Sequence, residues 1–288
     1  MPRGRLADPR LFQICFLGVL LATGAWLRDF TIRPEQIALA FAAAIGTQAV
    51  LGRESGAPTG PRSAIITALS LSLLLRADHL WAHPLAAFLA IASKFTLRIH
   101  GKHVFNPGNL GAVIGLAILP GAWVSSGQWG ADVALAGWVA VLGTVVVHRA
   151  RRSDITWAFL GFHLGALALR VLWLGQSFAV WRHHLESGAL LLFAFFMISD
   201  PMTIPNRRTG RVLHAAIVAA IAYVWQFQLY RPNALLWALL LASPLVPLWD
   251  ALWPAAKFEW IPGGGNSDDS HIDPDGLRLR GARRLRAA

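Results

Sequence analysis

The sequence has 288 residues, of which 55% are hydrophobic and only 14% are charged, with a net charge of +11 and a mean hydropathy of +0.49. A soluble domain carries about a quarter charged residues, so this composition excludes an ordinary soluble protein. The single cysteine, Cys15, excludes an intramolecular disulfide. The chain by itself also cannot ligate an iron–sulfur cluster, which takes about four such ligands.

Apolar runs recur along the chain, and they are of the length needed to cross a hydrocarbon core of about 30 Å. The third and eighth runs are short and suggest half-helices. We therefore predict an all-α polytopic membrane protein with about ten transmembrane helices, at 11–28, 36–52, 63–76, 80–97, 108–124, 131–148, 155–174, 187–199, 212–230 and 233–253.

Lysine and arginine are divided unevenly between alternate loops. Of the 26 Lys and Arg residues, 20 fall on one side of the predicted topology, 5 fall on the other, and Arg170 lies inside a span. The positive-inside rule then puts both termini in the cytoplasm, and we predict a bacterial inner membrane location with the lipid bilayer as partner. Nucleic acid is not predicted as a partner, because the basic residues are not gathered on one soluble face.

Two segments in opposite halves of the chain share one layout. Asn106-Pro107-Gly108-Asn109 precedes the fifth apolar run on the predicted cytoplasmic side, and Arg231-Pro232-Asn233 precedes the tenth on the outer side. Equivalent elements on opposite faces predict two five-helix repeats with inverted topology, which place irregular backbone and any ligand near the repeat interface. The predicted divisions are a cytoplasmic N-terminus at 1–10, repeats at 11–130 and 131–255, and a disordered basic cytoplasmic tail at 256–288.

Three stretches, "PRSAIITALSLSLLL", "KFTLRIHGKHVFNPGNLGAV" and "FFMISDPMTIPNRRTGRVLHAAIVA", resemble the motifs of the NqrB/RnfD family of membrane subunits. The resemblance covers roughly residues 60–255, and the chain's length is similar to that of the short branch found in enediyne biosynthesis clusters. It implies a ten-helix inverted-repeat fold, a bound flavin, a separate redox subunit or electron donor, and electron transfer coupled to ion movement.

Members of the family carry FMN on a Thr in an S-x-A-T motif. The matching loop here holds Ser125, Ser126 and Gly127 without a Thr. The stretch "SGAPT" at 55–59 lies on the predicted cytoplasmic side, whereas the FMN of the family lies on the outer side. We therefore expect FMN or riboflavin to bind non-covalently, at the repeat interface.

The motifs supply the candidate cofactor-binding residues, but each has a structural interpretation as well. Asp200 could contact an ion or flavin, or it could cap a helix or pair with a neighbouring arginine. Lys94 could contact a phosphate or quinone, or it could snorkel to the headgroups. Asparagines at a helix start are caps, and capped helix starts also form anion sites. The full set of candidates is Lys94, Lys102, Asn106, Asn109, Ser199, Asp200 and Thr203.

No catalytic or metal-ligating set is predicted. His163 lies in the middle of a span, where an ionisable group is a functional candidate, although a neutral imidazole can also hydrogen-bond within a bundle. A metal site on the outer side would have plausible histidine ligands, but it is not predicted, because His83 precedes a proline and no carboxylate spacing supports it. A bis-histidine haem is not predicted either. The histidines concerned are His79, His83, His183 and His184 for the metal, and His148, His163 and His214 for the haem.

Two functions follow from these patterns. The first is an integral membrane electron-transport protein resembling NqrB/RnfD, which would be one subunit of a redox-driven translocase because no complete active site is visible. The alternative is a transporter or exporter of small molecules or ions that uses the same inverted-repeat fold.

Overall fold

Helices make up most of the structure, a computed structural model that describes residues 8–27, 31–56, 60–124 and 133–258. Each predicted apolar run contains at least one of them. Their bounds are α1 (Pro9–Leu27), α2 (Pro34–Glu54), α3 (Arg62–Leu74), α4 (Ala82–Thr96), α5 (Pro107–Ile118), α6 (Val133–Arg149), α7 (Ser153–Trp173), α8 (Phe178–Leu185), α9 (Gly188–Leu192), α10 (Arg208–Phe227), α11 (Ala234–Ala242) and α12 (Val246–Leu252). A π-helical turn, Phe193–Met197, continues α9, and a 3-10 turn, Ser243–Leu245, joins α11 to α12.

Four helical segments in the described part of the chain are long and apolar enough to cross a membrane. They are Pro34–Glu54, Ser153–Trp173, Arg208–Phe227 and Ala234–Leu252. Several others, including α3 and α5, are apolar but shorter. The chain is thus a membrane protein with several apolar helices, while the number of spans and their orientation stay predictions.

Small residues let the helices approach one another closely. The buried face of α2 repeats every four residues and packs against the alanine-rich face of α4. In a membrane, where lipid is as apolar as leucine, such faces drive helix association through close backbone contact. The α2 face consists of Gln36, Ala40, Ala44, Gln48 and Gly52.

The two halves of the chain show matching neighbours. In the first half α2 packs on α4, α1 on α3, and α4 on α5. In the second half α7 packs on α10, α6 on α9 with its π turn, and α10 on α11. The contacts α5–α11 and α1–α6 join the halves.

Two short antiparallel strand pairs interrupt the helices. β1 (Leu75–Ala77) follows α3 directly and pairs with β4 (Ala122–Val124). β2 (Arg98–Ile99) and β3 (Lys102–His103) form a hairpin after α4. Its two turn residues, His100 and Gly101, both have positive φ, at 50° and 73°, as a two-residue turn of type I′ requires.

These strands correct the predicted bounds in two places. The helix predicted at 108–124 ends at Ile118, and the chain reverses through Gly121, whose φ is +65°, into β4. The helix predicted at 63–76 ends at Leu74. The short helix α8 lies in a segment predicted to be a loop. The predicted tail from residue 259 onward and the N-terminal residues 1–7 lie outside the described residues.

Candidate functional site

A polar cavity opens where α1, α3 and α4 meet the first turn of α5 and the segment after the π turn. We call it the Lys94 cavity. Its wall is apolar on one side, with Val146, Val147, Phe195 and Phe196. The polar residues that line it are Arg10, Gln13, Ser63, Thr67, Ser70, Lys94, His103, Asn106, Ser199 and Asp200.

Lys94 is held inside this cavity by side chains from two other helices. Its Nζ lies 2.6 Å from Gln48 Oε1 and 2.8 Å from Ser63 Oγ, and the residue is only 6% exposed. The interpretation that Lys94 snorkels to headgroups is therefore wrong, because Gln48 and Ser63 supply acceptors within the bundle.

Asp200 also lines the cavity, and it follows the π turn in the chain. Asn106 Nδ2 donates to its Oδ2 at 3.2 Å, and the Met202 amide donates to its Oδ1 at 3.1 Å. Burial raises the pKa of the Asp200 carboxyl, although the Met202 amide and the positive charge of Lys94 oppose the rise. Asp200 is not the partner of Arg211, which binds Asp154 instead, with 2.6 Å between Nη2 and Oδ2.

Asn106, which precedes α5, and Asn109, which lies within it, form different hydrogen bonds. Asn106 is the N-cap, because its Oδ1 accepts from the Asn109 amide at 3.0 Å. Asn109 Nδ2 donates to the Leu236 carbonyl at 3.1 Å, which brings the first turn of α5 against the first turn of α11. Asn109 Oδ1 is buried and has no hydrogen-bond partner in the described chain.

Replacing Asn106 by Ala should lower the free energy of unfolding by about 1 kcal/mol, because α5 loses its cap. Asn233→Gly is the matched control: Asn233 precedes α11 with a φ of 57° and makes no side-chain cap bond, so Gly fits its backbone and nothing is lost. Unfolding in mixed micelles measures both changes. Equal losses for the two variants would contradict the capping role of Asn106.

The remaining candidates lie outside the cavity or serve the backbone. Lys102 faces α12 and binds Asp250 at 2.7 Å, and burial lowers its pKa while the carboxylate of Asp250 opposes that shift. Thr203 Oγ1 donates to the Asp200 carbonyl at 3.3 Å. Ser199 lines the cavity, but its hydroxyl donates to the Phe195 carbonyl at 2.5 Å. The structure thus gathers Lys94, Asn106, Ser199 and Asp200 in one cavity and leaves out Lys102, Asn109 and Thr203.

Sequence reasoning missed several residues of this cavity. His103 lines it with a buried Nδ1 that has no hydrogen-bond partner in the described chain, and burial lowers its pKa to about 4. Arg10 reaches it from α1. Gln48, the partner of Lys94, is the polar residue for which a signal existed, because it falls within a predicted apolar run.

A second cavity lies between α7, the π turn and the start of α11, and we call it the His163 cavity. Its polar lining is His163, His184, Ser187, Gln226, Arg231 and Asn233. The π turn separates the two cavities, since Phe195 and Phe196 line the first while Phe193 and Met197 line the second.

The histidines considered for a metal or a haem are dispersed. His83 Nε2 contacts the Leu75 carbonyl, His79 stacks on Trp81, and His214 is fully buried. Among the described residues, no group of three or more His, Cys, Asp or Glu side chains could hold a metal ion. The loop residues Ser125, Ser126 and Gly127, and the end of the "SGAPT" stretch at 57–59, lie outside the described residues.

Comparison with known proteins confirms the family resemblance. The model of the NQR2, RnfD, RnfE family matches residues 124–259, a shorter stretch than the 60–255 expected from the motifs. Three similar proteins are each named as a subunit of an ion-translocating oxidoreductase complex. The one from Aeromonas hydrophila is 33% identical over 106 residues, covering 35% of this chain and 30% of that protein. The one from Yersinia enterocolitica is 32% identical over 138 residues, covering 47% and 36%. The one from Stutzerimonas stutzeri is 43% identical over 67 residues, covering 23% and 19%.

The matched stretches are about a third or less of the length of these curated relatives. Ser199, Asp200 and Thr203 lie inside the family match, whereas Lys94 and Asn106 lie before it. Asp200 and Asn106 are nevertheless hydrogen-bonded across the same cavity.

Proposed function

We propose, from this relationship to the NQR2, RnfD, RnfE family, that the chain is a membrane component of an ion-translocating oxidoreductase complex. Its partners would then be the lipid bilayer and the redox subunits of that complex. The observation that carries the proposal is the family match over 124–259, which contains the break after the π turn that closes the Lys94 cavity. Location in a bacterial inner membrane with both termini cytoplasmic belongs to the same proposal.

The matching neighbours in the two halves support the inverted five-helix repeats that this family resemblance implies. The first turns of α5 and α11 meet through Asn109 and Leu236, as expected if two corresponding helix starts face each other at the repeat interface. The Lys94 cavity lies beside that junction, because Asn106 both caps α5 and contacts Asp200.

The chemistry of the Lys94 cavity fits the polar edge of a flavin ring. That edge is an imide, with an N–H between two carbonyls. A protein recognises it with one acceptor for the N–H and a donor for each carbonyl oxygen. Asp200 supplies a carboxylate acceptor, while Lys94 supplies donors. The buried Nδ1 of His103, which lacks a partner in the described chain, is a further group that a ligand could satisfy. The apolar wall with Phe195 and Phe196 suits the ring faces, and a bound flavin would supply one- and two-electron chemistry there.

The test is the binding of flavin to the purified full-length chain. We expect stoichiometric, non-covalent FMN or riboflavin that is released on denaturation. The protein should be yellow, because oxidised flavin absorbs blue light. Lys94→Met should weaken binding about tenfold, because a charge-assisted hydrogen bond is lost. Lys257→Met is the control, since Lys257 is exposed and lies outside this cavity.

A second variant separates binding from folding. Asp200→Asn keeps the shape of the side chain and one acceptor oxygen, so it retains one of the two hydrogen bonds that Asn106 and Met202 donate. The protein should therefore fold while its affinity for flavin falls. A folded protein that stays colourless after incubation with both flavins would refute flavin binding.

A second function, transport of a small molecule or ion, is favoured by one observation. The two cavities approach each other from either side of the π turn, and π-helical turns are frequent at functional sites. In that case a folded, flavin-free protein should carry a solute across liposome membranes. Liposomes containing the protein but impermeable to every solute tried would contradict the transport candidate.

A further inference from the structure

The His163 cavity receives the uncapped start of a helix. Ala234, Leu235 and Leu236, the first three residues of α11, line it. Asn233 precedes them in the left-handed conformation, and its side chain forms no cap bond. The first amides of a helix have no acceptor within the helix and carry partial positive charge. The first turn of α11 therefore presents donors that suit an anion.

A buried imidazole points independently to a ligand in the same cavity. His163 is 5% exposed, it lines the cavity, and its Nδ1 has no hydrogen-bond partner in the described chain. Its ring is fixed by stacking on Phe159, with centroids 5.4 Å apart and planes 16° from parallel. Leaving such a buried polar atom unpaired is unfavourable, so a ligand atom that hydrogen-bonds to it is stabilising.

A fixed positive charge completes the polar end of the cavity. Arg231 lines it, and no ion pair of Arg231 occurs within the described ranges. Glu186 precedes the lining residue Ser187 in sequence. Its carboxylate pairs with Arg182, with 3.4 Å between Glu186 Oε1 and Arg182 Nε. His184 adds an imidazole to the lining, and burial lowers its pKa.

Much of the remaining lining is apolar, and a residue typical of membrane interfaces precedes Arg231. Leu74, Leu190 and Phe193 form part of the apolar wall. Tyr230, which is 81% exposed, comes immediately before Arg231, and tyrosine at membrane proteins concentrates at the level of the lipid headgroups. An anionic head on an apolar body is therefore the ligand chemistry that matches both ends.

We propose that the His163 cavity binds an anionic phospholipid, with the phosphate at Arg231, the first turn of α11 and His163, and with an acyl chain along the apolar wall. This site is separate from the Lys94 cavity and does not depend on flavin binding. A lipid held there would act as the cap that Asn233 does not provide.

The experiment uses the full-length protein, purified in detergent and stripped of lipid. Native mass spectrometry then measures the binding of phosphatidylglycerol, with phosphatidylcholine as the zwitterionic comparison. We expect retained phosphatidylglycerol, about tenfold weaker binding in Arg231→Gln and about threefold weaker binding in His163→Phe. Arg182→Gln is the matched control, because Arg182 is an exposed arginine on α8 that does not line the cavity. His163→Phe keeps a ring for Phe159 to stack on, so that variant should fold.

Three results would overturn the proposal. Equal losses in Arg231→Gln and Arg182→Gln would mean that surface charge alone attracts the lipid. Equal retention of phosphatidylcholine would show that the anionic charge is not recognised. Displacement of phosphatidylglycerol by inorganic phosphate or FMN would show that the ligand is a soluble phosphate or phosphate ester.

Discussion

Replacing Lys102 by Met should lower the free energy of unfolding by about 3–5 kcal/mol, the largest effect that we expect from one substitution. Lys102 Nζ lies 2.7 Å from Asp250 Oδ2, 2.5 Å from the Ile204 carbonyl and 3.2 Å from Asn206 Oδ1. The side chains of the pair are only 9% and 19% exposed, so the variant leaves a poorly solvated carboxylate without its counter-ion. Unfolding in mixed micelles, followed by circular dichroism, measures the change.

Two further variants decide whether the pair itself carries this effect. The double variant Lys102→Met, Asp250→Leu should recover most of the lost stability, because two apolar side chains replace the buried pair. Lys257→Met should change little, because Lys257 makes one exposed hydrogen bond, to the Gly101 carbonyl at 3.0 Å. If Lys102→Met were no worse than Lys257→Met, the hairpin would not depend on this ion pair.

The importance of Lys102 also shows why position along the chain misled sequence reasoning. The sequence predicts Lys102 and Lys94 together as cofactor ligands, because both belong to one motif. In the folded chain their partners belong to different elements, Gln48 and Ser63 for Lys94 but Asp250 for Lys102. Asp250 is 148 residues from Lys102 in the sequence, and no local sequence pattern predicts a pair with that separation.

Interactions between residues within one helix turn, by contrast, can be predicted from the sequence. Asn106 before Pro107 predicted a capped helix start, and the structure has this cap with Pro107 in the first turn. Long apolar runs likewise predicted helices, because a membrane leaves the backbone few other ways to pair its polar groups. The bounds failed where extended strands replace the ends of helices, as at β1 and β4. An apolar strand buried in protein cannot be told from a helix by composition.

The cavity was predicted only in part for the same reason. Separate motifs predict Asp200 and Asn106 as candidates, and the fold brings Asn106 Nδ2 to 3.2 Å from Asp200 Oδ2. Sequence gives no signal for His103 and Arg10, because they reach the cavity from β3 and α1 only once the chain is folded. The uncapped state of α11 was equally hidden, since Asn233 has the residue type of a cap but a backbone φ of 57°.

Replacing Gly111 by Ala should lower the free energy of unfolding by about 1–3 kcal/mol, because α5 is wedged between α3 and α4. A Cβ at Gly111 would lie 2.9 Å from the Ala86 carbonyl oxygen and 2.9 Å from Ala90 Cβ, both on α4. It would also lie 3.1 Å from Leu71 Cδ2 on α3. Backbone and alanine atoms cannot rotate away, so the helices must separate, and the same unfolding assay measures the loss.

Gly161→Ala, in α7, is the matched control for this clash. A Cβ there meets no heavy atom within 4 Å, so this variant should be as stable as the parent. Because Asn106 caps α5 and Asn109 lies in its first turn, the displacement caused by Gly111→Ala should also disturb their bonds to Asp200 and to the Leu236 carbonyl. We therefore expect Gly111→Ala to weaken flavin binding together with stability, while Gly161→Ala changes neither. Equal stability of the two variants would show that α5 has room to move against α4.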